Sequence, residues 1–147
     1  LASFEIDPPD QSEMTRRFET VHALGLPYVV AETDGCIAGY AYAAPYRARP
    51  AYKYTVENSV YVDSGRTGLG VGSTLLPALI DACAAAGCRQ MIAVIGDSAN
   101  RASIRLHEKF GFDRVGLLSA GGYKFGRWVA SVRMQKETGA GQTSTPT

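Results

Sequence analysis

Two side chains in the sequence have the chemistry of a general base or acid and lie in largely apolar segments. Glu57 interrupts the strand-like stretch TVENSVYV, and His107 lies in IRLHEKFGF. A carboxylate that the fold buries in part has a raised pKa, which suits a base that removes a proton through water. Structural roles are the alternatives, because a lone strand glutamate is usually solvated and a lone histidine is often a core residue. The second histidine, His22, lies in a polar helix and is expected to be exposed.

Glycine occupies every second position of the stretch RTGLGVGSTLL, at Gly68, Gly70 and Gly72, directly before an apolar and helix-like run. The free N–H groups at a helix N-terminus bind anions together with the helix dipole, and glycine lets a phosphate approach the main chain closely. The stretch therefore indicates a ligand that carries phosphate groups. A flexible loop that packs tightly is the structural alternative.

Two well-known phosphate-binding patterns do not fit this glycine stretch. A P-loop requires lysine before its serine or threonine, whereas Gly72 precedes Ser73 here. A dinucleotide-binding turn requires the spacing GxGxxG and an acidic residue about 20 positions further along. The spacing here is GxGxG, and the next predicted strand begins near Arg89 without that acidic residue.

The segment YRARPAYKY is both basic and aromatic, with Arg47, Arg49, Tyr52 and Tyr54 directly before the next predicted strand. Arginine binds a carboxylate or phosphinate in a bidentate fork, so the segment predicts a clamp for an anionic or zwitterionic substrate. An exposed basic loop is the alternative. The region from Ala38 to Val56 contains no Asp or Glu, which disfavours a polycationic substrate such as a polyamine or an aminoglycoside.

The composition is that of one globular domain. The chain has 147 residues, of which 46% are hydrophobic and 20% are charged, enough to bury a core. A net charge of +1 gives no electrostatic reason to expect nucleic acid or an anionic membrane as a partner. The three cysteines form no CxxC pair and predict reduced thiols in the cytosol. We find neither a membrane-spanning run nor a signal peptide in the sequence.

The hydrophobic pattern predicts strands that alternate with helices and a hairpin at each end, which indicates a mixed α/β sheet. We predict helices from Asp10 or Ser12 to Leu24, from the glycine stretch to Ala86, and over 98–110, the last capped by Asp97 or Ser98. The predicted strands cover 27–32, 36–45, 55–63, 89–96, 112–121 and 127–136. We assign the domain to residues 1–137 and expect the small, polar residues 138–147 to be a disordered tail.

Three segments resemble the GCN5-related N-acetyltransferase (GNAT) family, namely VYVDSGRTGLGVGSTLL, MIAVIGDSANRASIRLHEKFGF and GGYKFGRW. They are more closely similar to the branch that acetylates phosphinothricin and methionine sulfoximine. The resemblance extends from about Ala2 to Lys136 and is most specific between Tyr52 and Trp128. It implies a mixed, mostly antiparallel sheet flanked by helices. It also implies transfer of an acetyl group from acetyl-CoA, without a metal, to the amino group of a small amino-acid analogue.

The resemblance places acetyl-CoA at the glycine stretch. In the family pattern Q/R-x-x-G-x-G/A, the two glycines correspond to Gly70 and Gly72, and the loop amides hold the pyrophosphate. Asn100 and Ser103 resemble the contacts to the pantetheine arm, although Asn100 could equally cap its helix. The complete set of implied acetyl-CoA residues is Val60, Tyr61, Val62, Thr67, Gly68, Leu69, Gly70, Val71, Gly72, Ser73, Asn100 and Ser103.

The resemblance also assigns the catalytic and substrate residues. Glu57 matches the proposed general base of the branch, and His107 matches a histidine thought to share its acid–base work. Many relatives outside the branch carry a tyrosine there that protonates the CoA sulfur. The implied substrate residues are Arg49, Tyr52, Tyr54, Tyr123 and Lys124, of which the last two would close the site from the partner subunit of a homodimer.

The sequence departs from the family pattern at three places. Thr67 occupies the Q/R position of the loop, and Arg66 lies one place earlier. Pro77 lies inside the following helix, at a cost of about 3 kcal/mol unless that helix kinks or begins late. Relatives usually have one more strand and helix before the equivalent of ASFE, so we expect a fragment. These departures support the alternative of a non-catalytic acyl-CoA-binding remnant, whereas Glu57 and His107 support an enzyme.

Overall fold

The computed structural model describes residues 11–66, 68–96 and 100–146. Its elements in chain order are α1 Gln11–Ala23, β1 Tyr28–Thr33, β2 Cys36–Pro45, β3 Thr55–Val62, α2 Val71–Ala85, β4 Gln90–Ile95, α3 Arg101–Lys109, β5 Asp113–Lys124 and β6 Arg127–Glu137. The predicted order of strands and helices is confirmed, although α3 is shorter than predicted and β5 longer. The predicted caps Asp10, Asp97 and Ser98 lie outside the described residues. In the part of the chain that the structure describes, no helix is long and apolar enough to cross a membrane.

The strands form one sheet in the order β1-β2-β3-β4-β6-β5. All neighbours are antiparallel except β3 and β4, which run parallel. Within the described residues, β3 and β4 pair at Thr55 with Gln90, at Val56 with Met91 and at Glu57 with Ile92. Beyond these pairs the two strands separate, and a cleft opens in the middle of the sheet.

Strand β2 presents small residues to α2 on one face of the sheet. Gly39, Ala41 and Ala43 alternate along this face, and both alanines are fully buried. A β-carbon on Gly39 would lie 2.6 Å from the carbonyl oxygen of Tyr61 and 3.0 Å from Cγ1 of Val71, the first residue of α2. The absence of a side chain on Gly39 therefore lets the start of α2 approach the sheet. The largest fully buried side chains of the core are Leu76, Leu79, Met91 and Met134.

The opposite face of the sheet carries a row of tyrosines against α1. The rings of Tyr28 and Tyr42 stack with centroids 5.3 Å apart, and those of Tyr40 and Tyr61 stack at 4.9 Å. The Tyr40 hydroxyl donates to Sδ of Met14 in α1 at 3.8 Å. Offset aromatic pairs contribute about 0.5–1.5 kcal/mol beyond the area they bury, so this row stabilises the strands on which α1 packs.

Helix α2 begins at Val71 and continues past Pro77, so the proline does not delay the start of the helix. Pro77 has no N–H, and the carbonyl of Ser73 therefore lacks its usual intrahelical donor. Burial of the predicted apolar face of α2 compensates for this cost, because Leu75, Leu76, Leu79 and Cys83 are all buried, with Ile80 packed against them.

Residues 138–146, which composition predicts to be disordered, have defined contacts in the structure. Thr138 is buried, and its hydroxyl donates to the Cys88 carbonyl at 2.8 Å. The Arg89 guanidinium donates to the carbonyls of Gly141 at 2.9 Å and Ser144 at 3.1 Å. These residues have little apolar surface, yet they pack beside the end of α2. Hydrogen bonds from the Thr138 hydroxyl to the Cys88 carbonyl and from Arg89 to the segment's own carbonyls hold them there.

Candidate active site

The gap between β3 and β4 is a cleft of about 290 Å³. Glu57 and His107 both lie in its wall, so the structure brings the two predicted catalytic residues together. The remaining wall comes from the separated strands and from the first turn of α3. It consists of Asn58, Ser59, Val60, Tyr61, Ala93, Val94, Ile95, Gly96 and Ser103.

Glu57 is partly buried and lies where the pairing of β3 with β4 ends. Burial raises the pKa of its carboxyl, because a low-dielectric environment disfavours the charged form. The positive charges of Arg133 and Arg47 oppose that change by a smaller amount. The carboxyl therefore keeps its proton to a higher pH than an ordinary glutamate, and once deprotonated it is a stronger base.

His107 is buried, with 3% of its surface exposed, and each ring nitrogen lies near an oxygen atom, Nδ1 near the Ser103 carbonyl and Nε2 near Oδ1 of Asn58. Nδ1 lies 2.8 Å from the carbonyl oxygen of Ser103, which can only accept, so Nδ1 carries a hydrogen. The edge of Phe112 packs on the ring at 4.9 Å between centroids. Burial lowers the pKa of the imidazole, opposed by the bond to Ser103. The ring is therefore held as the neutral Nδ1–H tautomer, with a lone pair on Nε2.

Glu57 and His107 reach the cleft from opposite faces of β3. His107 contacts Asn58, the neighbour of Glu57 in the strand. Successive side chains of a strand point to opposite faces, so Glu57 lies on the tyrosine face and the Asn58–His107 contact on the face of α2 and α3. A substrate in the cleft would meet a carboxylate on one side and an imidazole on the other.

A second cleft, of about 600 Å³, lies at the glycine stretch. Gly68 and Gly70 both have φ near +80°, the left-handed region that favours glycine, and Gly70 is the N-cap of α2. Gly72 has a different reason to be glycine, since a β-carbon there would lie 3.0 Å from Cδ2 of Leu106 in α3. The glycines thus shape the backbone and let α2 and α3 approach each other.

The glycine cleft has the chemistry of a phosphate site. The Thr74 N–H bonds to the Gly70 carbonyl, so the free amides of α2 precede Thr74 at the wall of the cleft. Arg66, Arg105 and Lys109 line the same cleft and add positive charge. The sequence analysis missed Arg105 and Lys109. Their spacing of four residues on a helix that begins at the predicted site was the available signal.

Most of the predicted acetyl-CoA residues lie at these two clefts. Asn100 Oδ1 accepts a hydrogen bond from the Ser103 N–H at 3.3 Å, so Asn100 caps α3, and it also lines the glycine cleft. Val60 and Ser103 line both clefts and so join them. Val62, Gly68, Gly70, Val71, Gly72 and Ser73 line the glycine cleft, and Tyr61 lines the one between the strands. Leu69 is exposed beside the glycines. Thr67 lies outside the described residues.

The predicted substrate loop lines a third cleft, of about 490 Å³. Arg49, Tyr52 and Tyr54 form its wall together with the ends of α1 and α2. They do not share the cleft of Glu57 and His107. Arg47 connects the two regions, because it lines the third cleft while its charge acts on the Glu57 carboxyl.

Tyr123 and Lys124 lie at the tip of the β5–β6 hairpin, away from the three clefts. Tyr123 is exposed and its ring meets Trp128 edge to face at 5.0 Å, and the Lys124 ammonium lies 5.1 Å from the ring centre of Phe125. The hairpin exposes the large apolar side chains of Val115, Leu117, Leu118, Tyr123, Phe125 and Trp128.

Residues 2–112 match the model of the Acetyltransferase (GNAT) family, which covers most of the chain. The chain belongs to this family. The split sheet and the glycine turn before α2 are therefore features of a GNAT protein, and the predicted family and fold are confirmed.

Two relatives and one solved structure show how closely this GNAT chain follows known members. It is 51% identical over 145 residues to a phosphinothricin N-acetyltransferase of Alcaligenes faecalis, covering 99% of this chain and 74% of the relative. It is 42% identical over 118 residues to an L-methionine sulfoximine/L-methionine sulfone acetyltransferase of Salmonella typhimurium, covering 80% of this chain and 68% of the relative. A phosphinothricin acetyltransferase of Sinorhizobium meliloti, solved in complex with AcCoA, superimposes with a TM-score of 0.95 at 46% identity, covering 99% and 79%. The prediction of an acetyl-CoA-dependent acetyltransferase is thus confirmed at the level of the family.

Proposed function

We propose that the chain is an N-acetyltransferase that moves the acetyl group of acetyl-CoA to the amino group of phosphinothricin, methionine sulfoximine or methionine sulfone. One observation carries the proposal: the cleft walled by Glu57 and His107 shares Val60 and Ser103 with the wall of the basic glycine cleft, so the two clefts are neighbours. The identity to relatives that are named for these substrates supports the choice of substrate class.

The glycine cleft suits the phosphates of acetyl-CoA. The free amides before Thr74 face the pyrophosphate, and Arg66, Arg105 and Lys109 supply positive charge around it. The open edge of β3 offers main-chain groups of Val60–Val62 to the amides of the pantetheine arm. This course leads from the glycine cleft into the cleft of Glu57 and His107, where the thioester end belongs.

Acetyl transfer in this cleft requires two proton transfers, and the cleft has one group for each. The substrate amine is largely protonated at neutral pH, and Glu57 removes its first proton through water. The amine nitrogen then forms a bond to the acetyl carbon as the carbon–sulfur bond breaks. Nε2 of His107 takes the second proton from the nitrogen and passes it to the leaving thiolate. Positioning of two bound reactants supplies much of the remaining rate.

We extend the proposal to the surroundings of the enzyme. The exposed apolar residues of the β5–β6 hairpin support a homodimer in which Tyr123 and Lys124 reach the partner's site. Three free cysteines, two of them buried, support a reducing compartment such as the cytosol. The expected small-molecule partners are the amino-acid analogue and acetyl-CoA.

The alternative function is a non-catalytic acyl-CoA binder, which gains support from the separation of Arg49, Tyr52 and Tyr54 from the catalytic cleft. A panel of amines separates the two functions. We expect release of CoA thiol from acetyl-CoA with phosphinothricin and methionine sulfoximine, and little release with spermidine or an aminoglycoside. A binder would only raise its melting temperature with acetyl-CoA. Faster acetylation of a polycation than of any amino-acid analogue would contradict the proposed substrate class.

The substrate loop gives a prediction about specificity. We propose that the acidic group of the substrate reaches the third cleft, where Arg49→Ala removes the guanidinium that binds it, and hydrogen bonds to charged groups contribute about 1.5–3 kcal/mol. We therefore expect KM for phosphinothricin to rise about 10- to 100-fold, with KM for acetyl-CoA unchanged. Steady-state kinetics in each substrate measure both values. Arg114→Ala, which removes an exposed arginine paired with Glu108, is the matched control. An equal rise in both KM values would mean that Arg49 supports the fold and does not bind substrate.

A further inference from the structure

The contact between Asn58 and His107 is a buried polar pair that the proton transfers described above do not yet use. Asn58 is 8% exposed and His107 is 3% exposed. Nε2 of the imidazole and Oδ1 of the carboxamide lie 3.3 Å apart. Both residues line the cleft between β3 and β4, so their arrangement affects the groups that a substrate meets.

The pair has a mismatch when the ring is neutral. The hydrogen on Nδ1 is committed to the Ser103 carbonyl, so Nε2 carries only a lone pair. Oδ1 of Asn58 also carries only lone pairs, and two acceptors therefore face each other. At the same time Nδ2 of Asn58 is buried and has no hydrogen-bond partner. The orientation with Oδ1 toward Nε2 therefore fits the protonated ring and not the neutral one.

A half-turn of the Asn58 carboxamide removes the mismatch. The turn exchanges oxygen and nitrogen without changing the shape of the side chain. The NH₂ group then donates to the lone pair of Nε2, which satisfies both groups. When the ring takes a proton, the original orientation is the correct one, because Oδ1 then accepts from Nε2–H. Each protonation state of His107 has its own orientation of Asn58.

We infer that Asn58 is a positioning residue for His107, whose carboxamide turns to partner Nε2 in both protonation states of the ring. The catalytic meaning of this inference rests on the proposed function. The turn keeps the imidazole in the cleft wall while a proton arrives and leaves.

The surroundings of the ring make Asn58 the group to alter. From its own helix the ring meets the Ser103 carbonyl, and the uncharged ring of Phe112 lies against it at a steep angle. Strand β4 contributes apolar residues to the cleft, and β3 contributes Asn58. The Glu57 carboxyl lines the same cleft from the other face of β3, and Arg133 acts on that carboxyl.

Two nearly isosteric variants of Asn58 test the inference in opposite directions. Asn58→Asp can only accept and adds a negative charge, so it stabilises the protonated ring and moves the titration of His107 up by about one to three pH units. Asn58→Leu removes the acceptor that the protonated ring needs. A charged imidazolium without a hydrogen-bond partner is destabilised more than a neutral imidazole without one. This variant therefore moves the titration to lower pH. NMR of the ring nitrogens and carbon-bound ring protons measures the midpoint and the tautomer.

His22 is a control within the same molecule, because it lies on α1 against Phe18 and its signals should not change in either variant. If acetylation is observed, the acid limb of the kcat profile in Asn58→Asp should move by the same amount as the NMR midpoint. An unchanged His107 midpoint in both variants, or a wild-type ring without hydrogen on Nδ1, would overturn the inference. The NMR result does not require turnover, so failure of the proposed function is distinguishable from failure of this inference. If Asn58→Asp does not fold, the downward shift in Asn58→Leu decides.

Discussion

Replacing Glu57 by glutamine is expected to lower kcat for phosphinothricin by about 10²–10⁴-fold, the usual contribution of one acid–base group. Glutamine keeps the shape of the side chain but cannot accept a proton from the substrate amine. The affinity for acetyl-CoA should remain unchanged, because Glu57 lies in the cleft between the strands and the groups that we propose to bind phosphate lie at the glycine cleft. Steady-state kinetics and calorimetry with acetyl-CoA measure the two effects separately.

The pH dependence adds a second test of Glu57. Burial raises the pKa of its carboxyl, so the active, deprotonated base is lost as the pH falls through a value above that of an ordinary glutamate. The wild-type rate should therefore decline on the acid side, and Glu57→Gln should lose the part of that decline caused by Glu57. Glu32→Gln, which alters an exposed carboxylate of β1, is the control. A variant Glu57→Gln with normal turnover at neutral pH would make Glu57 a structural residue.

Replacing Gly72 by glutamate is expected to weaken acetyl-CoA binding by about two to three orders of magnitude. The new carboxylate would lie at the start of α2, beside the free amides that we propose to face the phosphates, and placing like charges side by side costs several kcal/mol. Its β-carbon would also press on Leu106, 3.0 Å away, in the wall of the same cleft. Calorimetric titration with acetyl-CoA measures the loss.

Two further variants separate charge from packing in the Gly72 experiment. Gly72→Ala adds the β-carbon alone and reports the part of the effect that comes from Leu106. Gly116→Glu adds the same charge to an exposed position of β5, where a β-carbon meets nothing within 4 Å. We expect a small effect from the first and none from the second. If Gly72→Glu has the far-UV circular dichroism spectrum of the wild type and an unchanged affinity for acetyl-CoA, the glycine cleft does not bind the phosphates.

The features that the sequence predicted are those that neighbouring residues decide. The order of helices and strands follows from hydrophobic periodicity, and the turn before α2 follows from glycines that alone adopt positive φ readily. Glu57 was identifiable because it interrupts an apolar strand, and Gly72 because it lies in the first turn of an apolar helix. In both cases the signal lies within a few residues of the site.

The features that the sequence did not predict depend on which distant elements meet. The contact of Asn58 with His107 arises because β3 and β4 separate after three paired positions, which no local pattern encodes. Arg49 and Glu57 are close in the chain, yet they line different clefts. The contacts of Arg89 with the carbonyls of Gly141 and Ser144 depend on one side chain. The prediction of disorder rested on the composition of the segment itself, which contains no information about a distant arginine.

Gly39 shows how a position with no chemistry of its own can limit the evolution of a binding site. Gly39 lies in β2, and the whole of β3 separates it in sequence from the glycine stretch. Its missing side chain nevertheless sets how closely Val71 approaches the sheet. Val71 is the first residue of α2, so the distance between Val71 and Gly39 sets the position of the helix N-terminus in the glycine cleft. A larger residue at position 39 would therefore shift the free amides at the start of α2 as a group. We therefore expect substitutions at Gly39 to change the affinity for acetyl-CoA before they change other properties. A search for functional positions that is confined to the cleft walls would overlook this residue.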